Sequence, residues 1–188
     1  MAAIASFLGL PQRGRYERAG FQLYGAAVAA ARDPYLYAGI GVPDTLDGRF
    51  DLVGLHAFLL IRRLRHAPAP GPVLAQAVFD AMFADMDINL RELGVGDMSI
   101  GKRMRAMWEA FHGRAAAYEA AMAEPDDTQL AEAIGRNVWR GEAPPDAAPA
   151  SLALARLARA QGAYLASQTL ETLKRGEVSF LGAEVATR

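Results

Sequence analysis

The sequence predicts an all-α protein, a single domain built as a bundle of about six helices. Three observations carry this. The 188 residues fit one domain large enough to bury a full hydrophobic core. Hydrophobic residues make up 52% of the chain, and much of that share is alanine, the best helix former and a small burier of surface. No run of alternating β-branched and aromatic residues, no hairpin turn and no internal repeat is present, whereas helical spacing recurs six times.

The first helix is expected from about Tyr16 to Arg32, with Phe21, Tyr24 and Val28 on one face, and it stops where Pro34 disfavours helical geometry at Asp33. Residues 33–44, with Pro34, Pro43, Gly39 and Gly41, read as a loop whose Tyr35, Leu36 and Tyr37 tuck under neighbouring helices. Asp44 and Thr45 are placed to cap a second helix over 46–65, apolar on nearly every side and therefore central. Its most apolar run, residues 52–61, is about half the roughly 20 residues needed to span a bilayer, so it reads as buried helix.

A connection through Pro68, Pro70, Gly71 and Pro72 leads to a third helix over 73–93, which ends at the glycine turn 94–97. Asp97 or Ser99 is expected to cap the fourth helix, where Met104, Trp108, Phe111, Ala115, Tyr118 and Met122 alternate at steps of four and three, the seam of a helix packed along a neighbour. Residues 125–127 open a fifth helix to about Trp139, residues 141–149 read as a linker, a sixth helix is expected over 150–175, and residues 176–188 as an irregular tail.

Charge and composition narrow the function. Twenty Lys and Arg against 21 Asp and Glu give a formal charge of −1, so no long-range field gathers nucleic acid or an anionic bilayer, and no sequence-specific nucleic acid partner is expected. The lack of cysteine excludes disulfides, thiolate metal sites and a cysteine nucleophile, and permits a reducing compartment. Residues 1–10 are apolar for too short a run, with no preceding basic residues, to read as a signal peptide.

The third helix holds the acids that invite a chemical reading. Asp85 and Asp87 project about 200° apart, and Asp80 and Asp87 stand roughly 10 Å apart along the axis, so neither pair chelates a metal alone. Between the acidic flanks runs an expected core stripe of Phe79, Phe83, Met86, Leu90 and Leu93, and Asp87 stands four residues before Arg91, suited to a helical ion pair. Lys102, Arg103 and Arg105 fall where a helix dipole disfavours cations, and they are expected to fold back onto Asp85, Asp87, Glu92 or Asp97. His56, His66 and His112 have no shared metal spacing, and neither glycine pair sits in a phosphate-loop setting. No metal, cofactor or catalytic residue is assigned. The alternative is a metal-dependent hydrolase or lyase using Asp85, Asp87 and Glu92, or a peripheral membrane or ribosome-binding module using Arg62, Arg63 and Arg65 or the cations at 102–105.

The segments GVPDTLDGRFD at 41–51, FADMDINLRELGVGD at 83–97, GKRM at 101–104 and FHGR at 111–114 with Tyr118 together resemble the ubiquinol–cytochrome c chaperone family over about residues 21–137. The pattern departs at His112, where the family has an aromatic residue. The resemblance implies a non-catalytic chaperone for assembly of the cytochrome bc1 complex, respiratory complex III. It implies a client, newly made cytochrome b or a similar membrane protein, together with a small partner subunit and contact near the ribosomal exit or membrane surface. With no import extension in the sequence, a bacterial-type member is expected, cytoplasmic and peripheral at the inner face of the cytoplasmic membrane. The residues the resemblance marks as supports or contacts are Asp44, Asp47, Arg49, Asp51, Asp85, Asp87, Arg91, Glu92, Asp97, Lys102, Arg103, Arg114 and Tyr118.

Overall fold

The computed structural model describes residues 14–139 and 147–187. The readings of residues 1–10 and of the linker at 141–146 lie outside the described residues. Every regular element among the described residues is helical, as expected.

Helix α1 (Glu17–Ala31) buries Ala19, Gly20, Leu23, Tyr24, Ala27 and Ala31. Phe21, expected on the inner face, is 46% exposed, because the close packing selects the small residues instead. A Cβ on Gly20 would stand 2.6 Å from the carbonyl oxygen of Ala77, so this glycine lets α1 lie almost backbone to backbone against α4 (Gly71–Glu92). The expected loop at 33–44 instead opens with a short helix, α2 (Pro34–Ala38). Asp33 accepts from the Tyr35 N–H at 3.0 Å, and Pro34 at the first position is already set to helical φ.

Helix α3 (Leu46–Arg65) is the central element, packed against α1, α4, α6 (Thr128–Val138) and α7 (Ala147–Ser167). Thr45 caps it by accepting from Gly48 N–H at 3.1 Å, whereas Asp44, the other expected cap, pairs with Arg49. Helix α4 ends as expected at a glycine: Gly94 adopts φ +77, Gly94 N–H donates to Arg91 and Val95 N–H to Leu90, and the chain reverses into α5 (Asp97–Ala123). Neither Asp97 nor Ser99 caps α5; the capping position is Gly96, without a side-chain bond.

Asp126 accepts from Thr128 N–H at 2.8 Å and starts α6. Arg159 on α7 donates to the carbonyls of Ala121, Met122, Glu124 and Asp126 and pairs with Asp127 at 2.8 Å, fastening the end of α5 to α7. The sixth helix expected over 150–175 begins earlier and is broken. Helix α7 already includes residues 147–149 and stops at Ser167, and Thr169, in extended geometry, caps α8 (Leu170–Lys174). The tail is not simply irregular. Gly176 turns at φ +81, and the side-chain amides of Gln168 and Gln161 each make two hydrogen bonds to the backbone of Ser179 and Leu181. Phe180 meets His56 edge-on, and α9 (Ala183–Ala186) buries two alanines.

Candidate functional site

Helices α4 and α5 leave the glycine turn as a hairpin whose far ends splay apart over the C-terminal half of α3. The result is an open cleft of about 740 Å³. Phe58 and Ile61 of α3 form its floor, Ala75 and Phe79 of α4 one wall, and Trp108, Phe111, His112 and Ala115 of α5 the other. The two walls meet in a ring cluster: Phe79 lies 4.5 Å from Phe83, 5.7 Å from Phe111 and 5.4 Å from His112, all between centroids. His112 stacks on Trp108 at 3.9 Å, and its Nδ1 lies 2.9 Å from the Trp108 carbonyl on its own helix. Trp108, read from its spacing as part of a closed seam, is 46% exposed. Spacing identifies the face but not whether the neighbouring helix closes over it.

The opposite end of the cleft is polar. Arg62 donates to Glu119 at 3.0 Å, tying α3 to α5, and Arg65 and His66 stand exposed beside them.

Of the residues marked by the sequence, Asp51, Arg114 and Tyr118 come together just behind the cleft wall. Asp51 is 3% exposed and its Oδ1 lies 2.6 Å from the Arg114 guanidinium. Tyr118 packs edge-on against Phe58 at 5.6 Å and accepts from the Asn137 amide at 3.2 Å. Burial pushes its phenol up to about 12, against the opposing pull of Asn137 and Arg114. This block shares Phe58, Phe111 and Ala115 with the cleft, so it sets where the aromatic wall stands.

The other marked residues lie elsewhere. Asp44 pairs with Arg49 at 2.6 Å on an exposed corner, which holds the Asp44 carboxyl below its usual range, and Asp47 is exposed on the first turn of α3. Asp85 accepts from the Tyr24 hydroxyl at 2.8 Å, and burial first, then that bond, raises the Tyr24 phenol well above its ordinary value. Arg91 holds both Asp87 at 2.7 Å and Asp97 at 2.8 Å.

The expectation that these acids brace residues 102–105 is corrected. Arg91 lies one turn from Asp87 and beside the turn carrying Asp97, and so takes up both. Arg105 pairs along its own helix with Glu109 at 3.1 Å. Among the described residues, Lys102, Arg103 and Glu92 have no ion-pair partner, and all three are exposed. Leu93, expected in the core stripe, is 63% exposed at the hairpin tip. Asp85, Asp87 and Glu92 do not converge, and among the described residues no group of three or more His, Asp or Glu could hold a metal ion. Among the same residues, no helix is long and apolar enough to cross a membrane.

Sequence reasoning missed Phe58, Trp108 and His112 as cleft residues. Of these, only Trp108 lies in the four-and-three spacing of α5, which reads the same for a packed seam and for an open one; Phe58 sits on an α3 apolar on nearly every side, and His112 lies one position off the series.

Fold and site thus define a helical bundle with an aromatic cleft, cationic at one end, between a splayed hairpin and its central helix. Residues 38–180 match the family model described as ubiquinol-cytochrome C chaperone, and the chain belongs to that family. It is 23% identical over 120 residues to the ubiquinol-cytochrome-c reductase complex assembly factor 1 of Xenopus laevis, covering 64% of this chain and 60% of that protein's length. It also superimposes on the crystal structure of the Cbp3 homolog from Brucella abortus with a TM-score of 0.80 and 32% identity, covering 96% of this chain and 98% of the other.

Proposed function

We propose that the chain is a non-catalytic assembly chaperone for the cytochrome bc1 complex, which shelters newly made cytochrome b or a similar membrane client in the cleft. The observation that carries this is an open aromatic cleft in a member of the ubiquinol–cytochrome c chaperone family. A relative that matches it is named as an assembly factor of the same reductase complex. An apolar segment of a membrane protein that has not yet met its neighbours exposes surface whose burial is worth about 25 cal/mol per Å², and the aromatic walls offer such burial without a covalent step. Asp51, Arg114 and Tyr118 act as supports of the wall. The exposed Lys102 and Arg103 are available to a second partner, a small subunit or the ribosome, at the inner face of the cytoplasmic membrane. Deletion of the gene, followed by cytochrome difference spectra, tests the reading. Loss of assembled bc1 complex is expected, and normal levels overturn it.

A further inference from the structure

The residues around the cleft specify more than an apolar client. Its lining comes from three helices and the residue that ends α3, and apart from the last carbonyls of α3 their backbone groups are paired within those helices. An extended peptide laid there would leave most of its own main-chain groups unpaired, whereas a helix satisfies its own. A helix about 10 Å across fills roughly 420 Å³ per turn. The cleft of about 740 Å³ therefore has room for a short helix laid partly into it, and calls for one apolar face rather than an apolar circumference.

The charge at the mouth selects further. The lining holds two guanidinium groups and one carboxylate, and Glu119 is already engaged by Arg62. Arg65 is exposed and, among the described residues, has no ion-pair partner; His66 stands next to it. Arg63, the remaining cation of this turn, points away and donates to the carbonyls of Leu165 and Gln168.

We propose that the cleft takes an amphipathic α-helix of a protein partner, its apolar face on Phe79, Trp108 and Phe111 and a carboxylate side chain at the Arg65 end. The proposal rests on the reading of the cleft as the client site and adds to it the shape, the facing and the charge of the segment that enters.

The test uses the full chain and fluorescein-labelled peptides of about 16 residues, long enough for four turns, tiled over cytochrome b, together with designed amphipathic helices of unrelated sequence carrying Glu or Lys at one end of the apolar face. Anisotropy reports affinity. Tryptophan emission reports the place, since Trp139 is buried and only Trp108 borders the cleft. Peptides that bind are expected to carry an acid at one end of the apolar face and to shift Trp108 emission to the blue. Arg65→Glu is expected to weaken them about fivefold, replacing the peptide's acid by Lys to restore binding to that variant, and Arg18→Glu, at an exposed position on α1 outside the cleft, to change nothing. Binding indifferent to the Arg65→Glu exchange, or no binding by any helical peptide, overturns the proposal. If unrelated acidic helices bind with the charge swap while no cytochrome b peptide does, the chemistry stands and the client reading fails.

Discussion

Arg114 and Asp51 form the most sheltered ion pair of the molecule's described part, with side chains 20% and 1% exposed. Removing one partner of a buried pair costs more than the pair itself contributes, because the other charge stays desolvated. Arg114→Ala is expected to lower stability by about 3 kcal/mol in urea titrations, and the double variant with Asp51→Ala to recover part of that loss. The sequence marked both residues, but that Asp51 and Arg114 pair was not legible in it. Helical periodicity gives the face a residue occupies, and the pairing depends on how α5 crosses α3.

His56 offers a second test at this scale. It is 1% exposed, its Nδ1 donates to the Leu52 carbonyl at 2.8 Å, and burial depresses its pKa against the weaker opposing effects of that bond and of Asp33. With the folded value below the unfolded value near 6.5, the unfolded chain binds the proton more readily. The stability tied to neutral His56 is therefore complete above about pH 6.5 and is lost as pH falls below it, by at most about 1.4 kcal/mol per unit. The urea midpoint is expected to drop between about pH 7.5 and 5.5, and to do so less steeply in His56→Gln.

Between elements, the α1–α4 contact separates two glycines that look alike in sequence. A Cβ on Gly20 would enter the backbone of Ala77, whereas one on Gly25 meets nothing within 4 Å. Gly20→Ala is expected to destabilise by about 1–3 kcal/mol through overpacking, and Gly25→Ala to stabilise by about 0.5–1 kcal/mol through helix propensity. Thermal melts of the two variants should move in opposite directions. The long helices were legible because their apolar spacing and their proline and glycine stops agree. The short ones, α2, α8 and α9, were not, since each is set by a local cap or by packing of the tail. The break at Thr169 interrupts a run whose composition still favours helix, and it is marked by the Thr169 hydroxyl, which bonds both the N–H and the hydroxyl of Thr172.

For the molecule as a whole, the sequence showed apolar positions on α4 and α5 but not that the two helices diverge. An apolar stripe has the same spacing whether a neighbour covers it or leaves it open. The ring cluster joins the two helices of the hairpin at mid-length, and the Arg62–Glu119 pair ties the open end to α3. A substitution on the open surface should therefore separate binding from folding. Trp108 is 46% exposed and its ring partner is His112 on its own helix, so Trp108→Ser removes about half of a large aromatic surface from the fold. Its cost to stability is expected at about 1–3 kcal/mol, and a melt should confirm a folded chain. The same variant takes a large aromatic surface from the cleft wall, and aromatic anchors of this kind carry about 2 kcal/mol or more of an interface. Introduced in place of the native gene, Trp108→Ser is expected to give normal amounts of chaperone and a clear fall in assembled bc1 complex by difference spectra. Full assembly with the folded variant would move the client away from this cleft.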